Sequence, residues 1–378
     1  MDFDFSDDQL SLRDMVARWV DKAFPFDRRH ALAKAGGAAR AVHTELAELG
    51  LTALVIPEAH GGMGLGAVEA MVVMEELGRG LVNAPYTAGA LMSPCLLAAA
   101  PEALQAAWLP RMADGSALVV PALQEKAARY RLNRVSTRAE AGTDGVWRLS
   151  GRKSLVPAGD EADAFLVPAR VTGTLDDEAG IALFLVPRDA AGLCVGGHPL
   201  QDGARAAELQ LENTPATLVL EQAWDRLSLA QDVGIAAIAA ESVGLMDRLT
   251  ALTVDYLNTR KQFGVTLATF QALRHRIADV KMQLELARSM SYYATLKLGE
   301  AGDARRRALS QAKVQVGQSA RFVGQQCMQL HGGIGITDEY LGSHYFKRLT
   351  AVEMQFGDTL HHLGEVSDRM QATAGVFA

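Results

Sequence analysis

The last third of the chain contains two short sequences whose residues could hold an anionic ligand with a planar ring. HGGIG (residues 331–335) places three glycines between two helical patterns, where the backbone can approach a ligand and turn N–H groups toward a pyrophosphate. In TRKQFG (259–264), the Arg260 guanidinium can bind phosphate oxygens as a fork, and Phe263 offers an apolar face to a ring such as adenine. Read alone, RKQFG is also typical of a helix that ends in a basic turn and a glycine.

Three ionisable side chains near the C-terminus are candidates for proton transfer. Asp358 lies in the sequence FGDT, and His361 and His362 follow it within one helical turn. Imidazoles titrate near neutral pH, yet two adjacent histidines in a helical pattern are more often packing or helix-face residues. Asp358 has a simpler interpretation as well, as a surface or turn residue.

The patterns around these motifs predict two helical regions with a β region between them. Ser6 precedes apolar residues at three- and four-residue steps, so helices should fill the first third, interrupted by the glycine-rich loop PEAHGGMGLG (57–66). From Leu118, short β-prone segments alternate with Gly, Asp and Pro, which is typical of a small sandwich or barrel. Helical patterning resumes at about Leu227, and GEAGDARRRA (299–308) is predicted to be a solvated connector.

A chain of 378 residues with 49% hydrophobic residues can bury the core of two or three domains. We therefore predict an α+β multidomain fold. It has an N-terminal helical domain (1–117), a middle antiparallel β-barrel or sandwich domain (118–222) and a C-terminal four-helix bundle (223–378).

Composition excludes several classes of function. A net charge of -7 gives no general attraction to phosphate backbones, so we expect no nucleic-acid partner. The three cysteines are widely spaced and lack metal-ligand spacing, which predicts neither disulfides nor a metal site and indicates a reducing compartment. The acidic N-terminus resembles no signal peptide and no long apolar run is present, so we expect a cytoplasmic protein without a membrane partner.

The motifs together resemble one known family. TRKQFG, the following Phe270-Gln271 and QLHGGIGITDEY (329–340) resemble the flavin-holding signatures of acyl-CoA dehydrogenases, as do LGLTALVIPEAHGGMGLG (49–66) and EELGRG (75–80). The resemblance covers the whole chain in the same order, so it is more specific than any single glycine motif. It implies an acyl-CoA dehydrogenase-like fold, an FAD cofactor and α,β-desaturation of an acyl-CoA thioester, with electrons passed to an electron-transfer flavoprotein.

The resemblance also implies roles for individual residues. Arg260 and Phe263 would reach the FAD of a neighbouring subunit, which makes the cofactor site depend on an oligomer. The remaining expected contacts lie near the adenosine and pyrophosphate of FAD: Gln271, Gln329, Gly332, Gly333 and Thr359.

The middle domain departs from the family pattern. Where the family has a Trp-Ile-Thr-Asn segment against the flavin, this chain has KSLVPAG (153–159), so that Leu155, Pro157 and Ala158 replace Trp, Thr and Asn. Side-chain hydrogen bonds to the flavin edge would be lost, and backbone groups would have to replace them.

The catalytic base is also missing from its usual positions. Desaturation needs a carboxylate that removes the α-proton while hydride leaves the β-carbon. The family position aligns with Gly357, and the alternative position used by some members aligns with Gly234. Two substitutes remain open: Asp358, one residue beyond the first position, and Asp225, which precedes Arg226 but lies nine residues before the second.

FKRLTAVEMQFGDTLHHL (346–363) resembles the small or β-type subunits of heteromeric acyl-CoA dehydrogenases, including those for pimeloyl-CoA, sterol side chains and aromatic acids. Such a subunit pairs with an α-type partner that carries the base, in a tetramer formed as a dimer of heterodimers. One alternative is a self-sufficient homotetramer with Asp358 as the base. Another is a non-catalytic scaffold subunit that binds neither FAD nor substrate.

Overall fold

A computed structural model describes residues 4–37 and 39–371, and these residues form two compact units. Unit 1 comprises the described residues within Met1–Arg29, Ala67–Val82 and Ile235–Ala378, and unit 2 comprises those within His30–Gly66 and Asn83–Gly234. This grouping follows contacts rather than sequence, so the predicted domain boundaries stay a prediction.

Unit 1 is helical apart from one short hairpin. Its helices are α1 (Asp7–Ala23), α4 (Ala67–Arg79), α8 (Gln271–Lys297), α9 (Gly302–His331), α10 (Leu341–Met354) and α11 (Thr359–Gln371). Two further helices, α2 (Phe26–Lys34) and α7 (Trp224–Thr259), contribute residues to both units. As predicted, Ser6 starts the first helix: its hydroxyl accepts the amide of Gln9, whose side chain in turn accepts the amide of Ser6.

The core of unit 1 is a helix bundle built on α7, α8, α9 and α10. Apolar residues at three- and four-residue steps bring Leu245, Leu249, Val280, Leu284, Val323 and Leu349 into one buried cluster. The backbones of α4 and α7 are in close contact where the two helices cross, because a Cβ added to Gly78 would lie 2.2 Å from the Glu241 carbonyl oxygen. A Cβ on Gly244 would lie 1.9 Å from the Glu75 carbonyl oxygen, so both glycines are required for this crossing.

Unit 2 combines short helices with a sheet. The helices are α3 (Ala39–Glu48), a π-helix (Thr87–Met92), α5 (Ser93–Leu97) and α6 (Glu102–Ala113), with 3-10 turns at Leu51–Ala53 and Glu58–His60. The strands are β1 (Val119–Pro121), β2 (Arg138–Ala141), β3 (Trp147–Pro157), β4 (Ala164–Arg170), β5 (Ile181–Pro187), β6 (Leu193–Pro199) and β7 (Arg205–Leu220).

Five strands close into a ring, because β4, β2, β3, β7 and β5 pair in that order and β5 pairs back with β4. β1 adds to β4 and β6 adds to β7. The pairs β1–β4 and β2–β4 are parallel and the others are antiparallel. Side chains alternate between two buried clusters: Phe165 and Val167 lie in one with Phe184, while Leu166 lies in the other with Leu97 and Leu109 of the helices.

The predicted order of helical, β and helical regions is confirmed. The predicted connector is wrong in part, because α9 begins at Gly302 and Arg305 in its first turns is buried. The described residues include one helix, α7, that is long and apolar enough to cross a membrane. Its most apolar window is 89% buried within the protein, which is typical of a core helix.

Candidate functional site

The segment Arg260–Thr266 forms a hairpin, not the end of a helix. α7 ends at Thr259, and β8 (Lys261–Gln262) pairs with β9 (Val265–Thr266). The two turn residues have positive φ, 53° for Phe263 and 82° for Gly264, which is the geometry of a two-residue type I′ turn. The alternative interpretation of RKQFG as a simple helix terminus is therefore wrong, because Gly264 lies in the turn of the hairpin and not at the end of α7.

This hairpin presents its aromatic residue to solvent. The Phe263 side chain is 91% exposed and touches Phe270 edge-on at 6.3 Å between ring centroids. A non-glycine residue in the left-handed region costs about 1–2 kcal/mol. The edge contact with Phe270 offsets only part of this strain, and strained residues of this kind cluster at functional sites. Arg260 is also exposed, and within residues 4–37 and 39–371 no ion pair is found for its guanidinium.

The glycine turn that follows α9 leaves open space beside its backbone. Gly332–Ile336 forms a 3-10 turn, and a Cβ added to Gly332 or Gly333 would meet nothing within 4 Å. The amide of Gly332 donates to the carbonyl of Gln329 and so closes α9. The turn therefore permits close approach of a ligand, while the Gly332 amide itself is already used.

His331 fixes this turn, a role that the sequence did not reveal. Its Nδ1–H donates to the carbonyl of Cys327 at 2.7 Å, so its Nε2 accepts the hydroxyl of Tyr340 at 2.7 Å. Tyr256 lies against the same ring at 4.7 Å. Burial lowers the pKa of His331, which favours the neutral ring with this pattern of one donor and one acceptor nitrogen.

Tyr256 also connects the two motifs. Its carbonyl accepts the amide of Arg260, so the end of α7 and the glycine turn lie side by side. Gln271 begins α8 after a 3-10 turn (Leu267–Thr269) that follows the hairpin, and Gln329 is exposed just before the glycine turn. Six of the predicted cofactor residues thus lie at two adjoining surfaces of unit 1: Arg260, Phe263, Gln271, Gln329, Gly332 and Gly333.

Thr359 does not join this group. Thr359 lies beside Gly317 of α9, because a Cβ added to Gly317 would be 2.5 Å from the Thr359 hydroxyl oxygen. Gly317 precedes His331 by 14 residues, which is about 21 Å along the helix. The amide and hydroxyl of Thr359 both donate to Glu353 Oε1, at 3.0 and 2.8 Å. If Thr359 contacts a nucleotide, it does so away from the hairpin and the glycine turn.

The position of the missing base is filled by imidazole rings. Gly357 has φ +111°, and a Cβ there would lie 2.4 Å from His361 Cδ2 and 2.7 Å from His362 Nε2. Asp358 precedes α11 as its N-cap, where its Oδ1 accepts the amide of His361 at 2.8 Å. Lys313 of α9 holds the end of α10, just before this loop, because its ammonium donates to the carbonyls of Val352 and Glu353 at 3.2 and 2.6 Å. Burial lowers the pKa of Lys313 to about 8.

The other two candidate positions lie in α7. Gly234 is buried within the helix and carries no side chain. Asp225 lies in the first turn of α7, where a carboxylate interacts favourably with the positive end of the helix dipole. Neither Gly357 nor Gly234 therefore supplies a carboxylate at the expected base position.

In unit 2, the end of β3 uses its backbone donors internally. The amides of Ser154 and Ala158 donate to the carbonyls of Gln124 and Arg205, and the amide of Leu155 donates to Glu208 Oε1 at 3.2 Å. Leu155 and Ala158 have φ of 50° and 47°, and the pairing with β7 shifts register there. The N–H groups of Ser154, Leu155 and Ala158 are therefore not available to replace lost side-chain contacts without breaking existing bonds.

A buried ion pair anchors the loop beside this segment. Glu125 accepts Lys153 Nζ at 2.7 Å, the amides of Ser136 and Thr137 at 2.8 and 3.1 Å, and both of their hydroxyls. Burial alone raises the pKa of Glu125, but the Lys153 ammonium and these hydrogen bonds outweigh it and hold the pKa at about 2. The pair joins residues 28 positions apart, and sequence patterns gave no sign of it.

Comparisons with known proteins agree with this architecture along the whole chain. The family models described as acyl-CoA dehydrogenase N-terminal, middle and C-terminal domains match residues 6–116, 121–214 and 224–371. The mitochondrial short-chain specific acyl-CoA dehydrogenase of Sus scrofa is 28% identical over 329 residues, which cover 83% of this chain and 78% of that protein.

Two solved structures of paired proteins share the fold. A variant of the Tcur3481-Tcur3483 steroid ACAD matches with a TM-score of 0.88 and 29% identity, covering 98% of this chain and 99% of that one. A chain of the ChsE4-ChsE5 complex from Mycobacterium tuberculosis matches with a TM-score of 0.87 and 24% identity, covering the same shares. The chain therefore belongs to the acyl-CoA dehydrogenase family, FAD-dependent oxidoreductases that act on CH–CH groups.

Proposed function

We propose that this chain is the small, β-type subunit of a heteromeric acyl-CoA dehydrogenase. The assembly converts an acyl-CoA thioester to its 2,3-enoyl product, and the partner subunit supplies the catalytic base. The observation that carries the proposal is the closed base position, since Gly357 has no room for a side chain while the exposed hairpin and glycine turn keep residues suited to a cofactor.

The exposed residues of unit 1 fit a share in an FAD site. The Arg260 guanidinium would bind phosphate oxygens, and Phe263 would pack on a planar ring of the cofactor. Gly332 and Gly333 would allow the pyrophosphate to approach the backbone. When bound, FAD supplies the hydride acceptor of the reaction. All of these residues face outward, which suits a cofactor held mainly by another chain.

The end of β3 does not fit the flavin edge. Leu155 and Pro157 offer no polar side-chain atom, Pro157 has no N–H, and the amides of Ser154, Leu155 and Ala158 already donate within unit 2. We therefore assign no step of flavin chemistry to this segment. In the proposed assembly, the corresponding strands of the partner hold the isoalloxazine ring.

The chain's own residues then bind and orient rather than transfer a proton. The Asp358 carboxylate is engaged at the start of α11, where it accepts the amide of His361. His362 is fully buried, and both of its ring nitrogens have hydrogen-bond partners. His362 therefore lacks the access that abstraction of a substrate α-proton needs, and the Asp358 carboxylate already caps a helix, which favours a base from the partner.

Exposed apolar residues on unit 1 support an oligomer. Met282 and Leu286 lie one turn apart on the solvent side of α8, with Leu296 further along, and their exposed fractions are 53%, 43% and 51%. A stripe of this kind is typical of a subunit interface. An α-type dehydrogenase is the proposed partner, in a cytoplasmic dimer of heterodimers that passes electrons to an electron-transfer flavoprotein. A homo-oligomer would use the same surface.

The visible spectrum and the FAD-to-chain ratio test the proposal. We expect little FAD on the chain purified alone, and bound flavin that is bleached by acyl-CoA after co-expression with the partner dehydrogenase. One FAD per chain and bleaching of the isolated chain would refute the heteromeric proposal and favour the homotetramer. A co-purified complex whose flavin content and activity do not change with Arg260→Ala would instead support the scaffold alternative.

A further inference from the structure

The loop that carries the glycine turn joins α9 to α10 and is mostly exposed. It spans residues 332–340, in which Gly335 is buried and Tyr340, at the end of the loop, is half-buried. An exposed loop with three glycines has many accessible backbone conformations. The open space beside Gly332 and Gly333 therefore depends on contacts that select one of these conformations.

The ring of His331, just before this loop, is held by contacts that do not involve the loop. It is 3% exposed, its Nδ1–H donates to the carbonyl of Cys327 at 2.7 Å, and the ring of Tyr256 lies 4.7 Å from it between centroids. Burial lowers the pKa of His331, although hydrogen bonding to the carbonyls of Cys327 and Leu252 opposes this effect. Residues of α7 and α9 together therefore fix the imidazole.

Tyr340 connects the end of the loop to this fixed ring. Its hydroxyl donates to His331 Nε2 at 2.7 Å, and the centroids of the two rings are 5.0 Å apart. The ring of Tyr340 also packs on the first turn of α10, where a Cβ added to Gly342 would lie 2.8 Å from Tyr340 Cε1. Glycine at position 342 therefore leaves the room that the tyrosine ring needs to reach His331.

We propose that Tyr340 is a positioning residue of the FAD site. Its hydrogen bond to His331 closes the loop 332–340 and holds the glycine turn in the conformation that is open to a pyrophosphate. The inference rests on the proposed share of unit 1 in an FAD site and names the side chain that orders this share in advance. A turn that is already ordered loses less conformational entropy on binding, so the Tyr340 hydroxyl raises FAD affinity without touching the cofactor.

Hydrogen–deuterium exchange of the isolated chain tests the order of the turn without FAD or activity. Tyr340→Phe removes the hydroxyl and keeps the ring, whereas Gly342→Ala keeps the hydroxyl and displaces the ring. Both variants should speed amide exchange at residues 332–337 by about two- to tenfold, which is the effect of losing one hydrogen bond of ordinary strength. If one variant does not fold, the other still decides the outcome.

Two matched controls separate the turn from the general stability of unit 1. Tyr345→Phe removes another hydroxyl, which donates to the carbonyl of Arg79. Gly364→Ala adds a methyl group to α11, where its Cβ would meet nothing within 4 Å. Neither control should change exchange in the glycine turn. Equal acceleration in Tyr345→Phe and Tyr340→Phe, or no acceleration in the test variants, would overturn the inference.

The same variants of the co-expressed complex then test the effect on the cofactor. FAD should bind about two- to tenfold more weakly to Tyr340→Phe and Gly342→Ala, whereas both controls should keep the wild-type dissociation constant. Faster exchange in the turn with unchanged FAD affinity would refute the positioning role. Failure of the proposed function would appear differently, as one FAD per wild-type chain purified without a partner, and the variants would then be compared on that homomeric flavoprotein.

Discussion

Replacing Phe263 with glycine should separate the stability of this chain from its share in cofactor binding. Phe263 has φ 53° and is 91% exposed, so glycine relieves left-handed strain of about 1–2 kcal/mol. Two effects oppose this gain. Glycine increases the backbone entropy of the unfolded chain by about 0.5–1 kcal/mol, and the edge contact with Phe270, worth about 0.5–1.5 kcal/mol, is lost. We therefore expect the free energy of unfolding to change by no more than about 1.5 kcal/mol.

Cofactor binding should respond much more strongly. If the exposed ring of Phe263 is buried against FAD in the assembled dehydrogenase, its removal costs about 1.5–3 kcal/mol. Since every 1.4 kcal/mol corresponds to about a tenfold change, FAD should bind about ten- to a hundredfold more weakly. The melting temperature of the isolated chain and the dissociation constant of FAD from the co-expressed complex measure the two effects. Gln262→Ala is a control at an exposed strand position of the same hairpin. Unchanged FAD affinity, or a melting temperature lowered by more than about 5 °C, would show the reasoning to be wrong.

Three further predictions concern buried charge, acid stability and the alternative base. Glu125→Gln leaves Lys153 buried without its carboxylate and should destabilise the chain by about 3–5 kcal/mol in chemical denaturation, whereas a loss below about 1 kcal/mol would contradict the pairing. Burial lowers the pKa of His43 to about 4 and that of His362 to about 3, so between pH 6.5 and these values the unfolded state binds protons that the folded state does not. Stability should therefore fall as the pH is lowered from 7 to 5, by about 2 kcal/mol for each histidine, and His43→Gln should make the pH profile shallower. Asp358→Asn preserves a good N-cap and should leave bleaching by the assembled enzyme unchanged, whereas loss of bleaching would identify Asp358 as the base.

The sequence alone determined those features that depend on neighbours along the chain. The capping residue Ser6, the helical repeats and the β-prone segments are local patterns, and the structure follows them. The resemblance to acyl-CoA dehydrogenases identified the family, because its motifs are short and keep their order. The absence of a carboxylate at position 357 could also be read directly from the residues.

Only the tertiary structure decided features that depend on how distant segments meet or on the exact backbone path. The pair Glu125–Lys153 and the fixed ring of His331 depend on which polar groups the fold buries together, because buried groups must find hydrogen-bond partners and sequence spacing does not reveal them. The hairpin that carries Phe263 depends on two consecutive positive φ angles. The sequence pattern, basic residues followed by a glycine, fits the end of a helix equally well. At Gly357, the sequence showed that a side chain is missing. The fold showed that imidazoles occupy its space, because α11 begins immediately after the loop and turns both histidines back onto it.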